Sequence, residues 1–109
     1  MFYLQILFSY QQNTYDTFYG RIRQIIDSNK RYPLLARQRK IEGSPKVQFT
    51  ILKNGIVEKI SVISSGHRIL DREARRIIMI SSPFPEIPPS MNKNYIDLTI
   101  PINFKLNNY

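Results

Sequence analysis

The chain has 109 residues, room for one domain with one modest core. Its 16 Lys+Arg against 8 Asp+Glu leave a net charge of +8, so its surface suits an anionic partner: nucleic acid, a membrane face or an acidic protein segment. The absence of cysteine excludes disulfides, thiol catalysis and cysteine-ligated zinc. A lone His67 leaves no basis for a histidine metal cluster or a Ser-His triad, so no catalytic residue, metal or cofactor is expected.

The opening run, MFYLQILFSYQQ, is apolar but too short to span a bilayer. It lacks the basic start and small-residue cleavage site of a signal peptide. Phe2, Leu4, Ile6, Phe8 and Tyr10 alternate, which leaves both a short strand and a helix open. Residues 1–12 are read as an N-terminal remnant of uncertain structure, the chain as a fragment or truncated frame, and 13–109 as the domain.

Over Thr14–Asn29 the residues Tyr15, Phe18, Tyr19, Ile22, Ile25 and Ile26 recur at helical spacing, with Asn13 or Thr14 as N-cap. Tyr32-Pro33 interrupts, because the residue before a proline avoids the α region. Pro33 then suits the start of a short helix to Lys40, with Glu42-Gly43 as its stop. The stretch SPKVQFTILKNGIVEKISVISS reads as a hairpin about Asn54-Gly55. A two-residue type I′ turn pairs Leu52 with Val57, Phe49 with Ile60 and Val47 with Val62, which puts Val47, Phe49, Ile60 and Val62 on one face and Gln48, Thr50, Lys59 and Ser61 on the other. A three-residue loop would set Phe49 opposite Lys59 and mix the faces, so the two-residue turn is expected.

After Ser64-Ser65-Gly66 a third helix is expected over Ile69–Ser81, with Leu70, Ala74, Ile77 and Ile78 inward and Arg68, Arg72, Arg75 and Arg76 largely outward. Asp71 stands in its first turn, where it favours the helix dipole. The proline-punctuated SSPFPEIPPSMNKN should be extended. Last comes an unbroken alternation from Tyr95 to Leu106, a half-buried strand with Pro101 in its middle. Proline cannot donate to a ladder, so that strand belongs at an edge. The fold class is therefore α+β: a three-stranded antiparallel sheet with helices on one face, the last strand lying beside the first.

These elements in this order resemble the C-terminal domain of the TonB family, which couples the inner-membrane proton gradient to transporters in the Gram-negative outer membrane. The resemblance runs from about Tyr15 to Leu106. It rests on YP at Tyr32-Pro33, AR, EG, the Asn-Gly hairpin, SSG with Leu70-Asp71 and Ala74, FPEIPP, and the proline in LTIPINFKL. Some members carry a tryptophan after the third helix; this chain has none. The membrane anchor and proline-rich spacer of a whole TonB protein are likewise missing from the sequence.

The resemblance implies a periplasmic domain, tethered to the inner membrane in the full-length protein, that serves siderophore or nutrient uptake. Its implied partners are outer-membrane TonB-dependent transporters and, through the missing anchor, an ExbB–ExbD-type motor. It implies that a transporter's N-terminal box peptide adds to the last strand at Asp97, Leu98, Thr99, Ile100, Pro101, Ile102, Asn103, Phe104 and Lys105. If Pro101 faces outward, Asp97, Thr99, Asn103 and Lys105 supply the outward backbone groups. Further contact is implied just before and through Tyr-Pro, at Ser28, Asn29, Lys30, Arg31, Tyr32 and Pro33.

Two rival readings remain: a small basic nucleic-acid-binding α+β module using Arg37, Arg39, Lys40, Arg68, Arg72, Arg75 and Arg76, and a TolA-type envelope domain. No RRM, KH or zinc-finger signature supports the first, so no nucleic acid is expected. The Phe2–Tyr10 run could also add to the last strand, in its own chain or as a homodimer.

Overall fold

The computed structural model describes the backbone of residues 2–108 and the side chains of residues 16–107. Six principal elements follow in order: α1 (Phe2–Asn29), α2 (Leu34–Gln38), β1 (Lys46–Leu52), β2 (Val57–Ile63), α3 (Arg68–Ser81) and β3 (Tyr95–Pro101). The three strands form one antiparallel sheet in the order β2-β1-β3. The expected α+β class and the last strand's place beside the first both hold.

Helix α1 runs unbroken from Phe2, so the first run is helical backbone rather than strand, and no helix starts at Asn13 or Thr14. No proline lies between Met1 and Gly20 to stop the helix from propagating backward. A helical run has its backbone groups already paired, so it does not add to β3 as a strand in this structure. Where the side chains of residues 1–15 pack lies outside the described residues. Further along, Phe18, Ile22 and Ile26 are buried, one stripe of a helix.

Pro33, extended at ψ 132°, precedes α2 and accepts from the Arg37 N–H. The stop is not at Glu42-Gly43. It comes at Lys40, whose φ of 55° lets the Ile41 N–H reach back to the Ala36 carbonyl and its own N–H reach Arg37. Gly43 is required for another reason: a Cβ there would lie 3.1 Å from Leu70 and 3.2 Å from Ser65, and its backbone pairs with Phe104.

The hairpin closes differently from expectation. The Leu52 carbonyl accepts from the Gly55 N–H and the Ile56 carbonyl from the Leu52 N–H, a three-residue loop with Gly55 at φ 89°. Near the loop Ile51 therefore pairs with Val57 and Thr50 with Glu58. Beyond it the expected register returns, Val47 opposite Val62. Between these stretches β2 carries one extra residue at a bulge where Lys59 takes φ 58°. The loop displaces the register by one and the bulge restores it, so Val47, Phe49 and Ile51 are buried together after all.

Helix α3 begins one residue earlier than expected, at Arg68, and buries Leu70, Ala74, Ile77 and Ile78 against the sheet. The segment after it is extended, as its prolines require, apart from a single 3-10 turn at Pro89–Met91 that ends with Asn92 at φ 52°. Phe84 and Ile87 from this segment are buried, Phe84 stacked on Phe49 with centroids 6.0 Å apart. The Phe84 N–H donates to the Gly55 carbonyl and the Ile87 N–H to that of Lys53, so the segment straps the hairpin tip. The regular strand β3 ends at Pro101, short of the expected Leu106. Two further pairings, Ile102 to Pro45 and Phe104 to Gly43, continue its line, and residues 106–108 turn as a 3-10 helix.

Candidate functional site at the β3 edge

Strand β1 is central, bonded on both sides, so β3 has one free margin. Which residues face it follows from the ladder. The Ile102 N–H donates to Pro45 and the Phe104 N–H to Gly43, so residues of this parity turn their backbone groups inward. The intervening positions, Tyr95, Asp97, Thr99, Pro101 and Asn103, turn theirs outward. Pro101 thus stands opposite Lys46 with its missing donor on the free side, where no ladder bond is lost.

Side chains alternate the other way across the sheet. Ile96, Ile102 and Phe104 are buried on the helix side, and Leu98 and Ile100 are half-buried there. Tyr95, Asp97, Thr99, Pro101, Asn103 and Lys105 are exposed. The Thr50 hydroxyl donates to the Asp97 carboxylate at 2.6 Å across the open sheet face, and Ser44 donates to the Asn103 side-chain oxygen at 2.9 Å.

The margin is not uniform. Helix α1 places Arg23 so that its guanidinium donates to the outward carbonyl of Pro101 at 3.1 Å, while its Nε lies 3.4 Å from the Asp27 carboxylate one turn on. Lys30 donates to the Asn103 carbonyl at 2.5 Å and stands 5.6 Å from the centre of the Phe104 ring. Toward the start of β3 the helix stands off, and a groove of about 520 Å³ opens between Tyr19 and residues from Lys93 to Leu98.

The second group of candidate residues meets this margin at its end. Tyr32 is buried, edge-on to Phe104 at 5.5 Å between centroids, with its hydroxyl donating to the Ile41 carbonyl. Ser28 bonds within its own helix, to the Ile25 carbonyl. The Asn29 amide donates to the Ser81 hydroxyl, and its carbonyl accepts from Arg76. Arg31 is exposed and lies 3.8 Å from Glu73. Pro33 lines a cleft of about 310 Å³ with Ile69, Arg72, Glu73 and Arg76. Lys30 and Tyr32, through Asn103 and Phe104, join the Tyr-Pro segment to the far end of β3. Ser28, Arg31 and Pro33 do not reach the strand by any described bond.

Sequence reasoning missed two groups. Arg23 was not singled out, although Arg23 and Asp27 at i,i+4 were visible as a helical pair. Glu73 is only 6% exposed, and Arg76 grips it through two bonds, at 2.7 and 2.6 Å. That contact with the carboxylate raises the Arg76 guanidinium further above its ordinary range, against the opposing effect of burial. Asp71 does more than sit near a dipole. It accepts from the Ser64 hydroxyl, the Ser65 N–H and the Ser65 hydroxyl, at 2.6, 2.9 and 2.9 Å. Burial alone would raise its carboxyl; these donors outweigh burial and hold it below its ordinary value.

Among the described residues no group of three His, Cys, Asp or Glu could hold a metal ion, and no helix is long and apolar enough to cross a membrane.

Comparison with known proteins adds independent findings. The profile of the family described as Gram-negative bacterial TonB protein C-terminal matches residues 28–106. An NMR solution structure of the Helicobacter pylori TonB-CTD is 34% identical, with a TM-score of 0.71, over 84% of this chain and 82% of that one. A shorter piece of the same domain is 35% identical, with a TM-score of 0.64, over 82% of this chain and 94% of that one. The structure of the HasB CTD is 34% identical, with a TM-score of 0.52, over 84% of this chain and 71% of that one. A search of curated proteins returned no significant match.

Proposed function

This chain belongs to the family of Gram-negative bacterial TonB C-terminal domains, and from that premise we propose that its β3 margin binds an extended peptide by strand addition. The family is that of TonB-type energy transducers, a Gram-negative periplasmic domain without catalytic chemistry of its own. The peptide is the N-terminal box segment of an outer-membrane TonB-dependent transporter, and the domain hands on to it force derived from the inner-membrane proton gradient, for siderophore or nutrient uptake. An inner-membrane anchor and an ExbB–ExbD-type motor would supply that force.

The observation that carries this reading is the pair Asp97 and Thr99, whose backbone groups turn outward from an edge strand that no other strand flanks on that side among the described residues. Four bonds to these two residues contribute about 2–6 kcal/mol. Micromolar affinity corresponds to about 8 kcal/mol. Side chains must supply the difference, and the groove beside Tyr19 stands where a guest strand would meet it. A strand pulled along its length loads its ladder bonds together, which suits a coupling that carries tension.

Titration of the isotope-labelled chain with a transporter box peptide tests the reading. The Asp97 and Thr99 amides should shift and become protected from exchange. Shifts confined to α3, with residues 95–103 unmoved, would refute it.

A further inference from the structure

Resting on the strand-addition reading, we propose that α1 divides the β3 margin into an open acceptor at Tyr95–Thr99 and a closed stretch at Pro101–Asn103, with Arg23 as the catch between them. Three features of the margin converge on this. Along Tyr95, Asp97 and Thr99 both the N–H and C=O groups turn outward, and α1 stands away from them across the groove. At Pro101 there is no N–H, and the one outward acceptor is held by Arg23. At Asn103 the outward carbonyl is held by Lys30. A guest strand growing along β3 therefore finds both hydrogen-bonding partners through Thr99 and none at the next step until Arg23 lets go.

The same geometry fixes the kind of peptide. Guest residues opposite Asp97 and Thr99 share the exposed, polar face of the sheet. Guest residues opposite Ile96 and Leu98 turn to the helix side, into the groove walled by Tyr19 and Leu98. Leu98 and Ile100 are only half-buried on that side, where one more strand would finish covering them. The open acceptor thus takes a short extended segment with polar and apolar residues alternating, its apolar side chains against Tyr19.

Two uncharged peptides of alternating threonine and valine, five and nine residues long, test this against the whole chain by NMR titration with amide exchange. In the wild type both should protect Asp97 and Thr99 and leave the Asn103 amide exchanging fast. Arg23→Ala should bind the nine-residue peptide about two- to fivefold more tightly and extend protection to Asn103, with the five-residue affinity unchanged. Arg21→Ala, which removes the same charge from an exposed site on the same helix, should do neither. Tyr19→Ala should weaken both peptides about threefold.

Protection of Asn103 in the wild type, or no tightening in Arg23→Ala, would overturn the division while leaving strand addition intact. Unchanged affinity in Tyr19→Ala would overturn the assignment of the groove. If neither peptide nor a transporter box peptide protects Asp97 or Thr99, strand addition itself fails and the division fails with it.

Discussion

Gly55 and Gly66 share a φ of 89° but differ in their surroundings, and the pair measures how firmly the hairpin tip is strapped. An alanine Cβ at position 66 meets nothing within 4 Å. Gly66→Ala should therefore cost only the left-handed backbone penalty, about 1–2 kcal/mol. At position 55 the same Cβ would lie 1.8 Å from the Phe84 carbonyl oxygen and 2.8 Å from its carbon, so the strap must retreat by about 1.5 Å. Three bonds hold it in place: Phe84 N–H to Gly55, Ile87 N–H to Lys53, and Val57 N–H to the Ser82 hydroxyl, at 2.8, 3.1 and 3.1 Å. Losing two of them adds about 1–3 kcal/mol, which brings Gly55→Ala to about 2–5 kcal/mol. Urea denaturation of the two variants and the wild type gives the comparison directly. In a domain of this size the gap of about 2 kcal/mol appears in a thermal scan as roughly 10 °C. Equal losses in the two variants would show that the strap yields freely and that the close approach at Phe84 means nothing.

Asp71→Asn should lose about 1–2 kcal/mol at neutral pH, because three donors then face a poorer acceptor. The wild-type carboxyl is held below its ordinary value of 3.8 in the fold, so its contribution is complete above that value and fades as pH falls toward the folded one. Stability curves for wild type and variant should run parallel above pH 5 and converge in acid; a constant gap down to pH 2 would contradict the assignment. Glu73→Gln leaves Arg76 without its charged partner and should destabilise by about 2–3 kcal/mol in urea, less than a fully buried pair because Arg76 is 31% exposed. A loss under about 0.5 kcal/mol would remove Glu73 as the tie between α3 and the end of α1. Pro101→Ala should change stability by less than about 1 kcal/mol, since the restored N–H points away from β1, yet should raise concentration-dependent self-association in sedimentation. A large loss of stability with no association would mean that the ring is packed rather than protective.

Periodicity made the architecture legible. The alternation of Tyr95–Leu106, the helical spacing of Leu70, Ala74, Ile77 and Ile78, and Pro101 itself were enough to order the strands and put the last one at an edge. The hairpin shows where such reading stops. Its faces were right and its loop was wrong, because a register shift at Asn54-Gly55 is undone by a bulge at Lys59, and lysine in a left-handed conformation leaves no mark in a sequence. The Lys40 helix stop escaped for the same reason. The parity of the free margin was derivable from Pro101 alone. Its division was not, since it depends on where α1 crosses β3, a relation between residues 78 apart. The burial of Glu73 was not legible, because Arg31, which stands 3.8 Å from it, comes from outside its helix.

The bulge has a consequence beyond register. A three-stranded sheet has two flanks, and this one treats them unequally. The β2 flank is bent at Lys59, lined by Glu58 and Lys59, and has its Ile60 carbonyl occupied by Arg75 at 3.0 Å. A visiting chain finds no straight run there. Strand addition is therefore expected at the β3 flank alone.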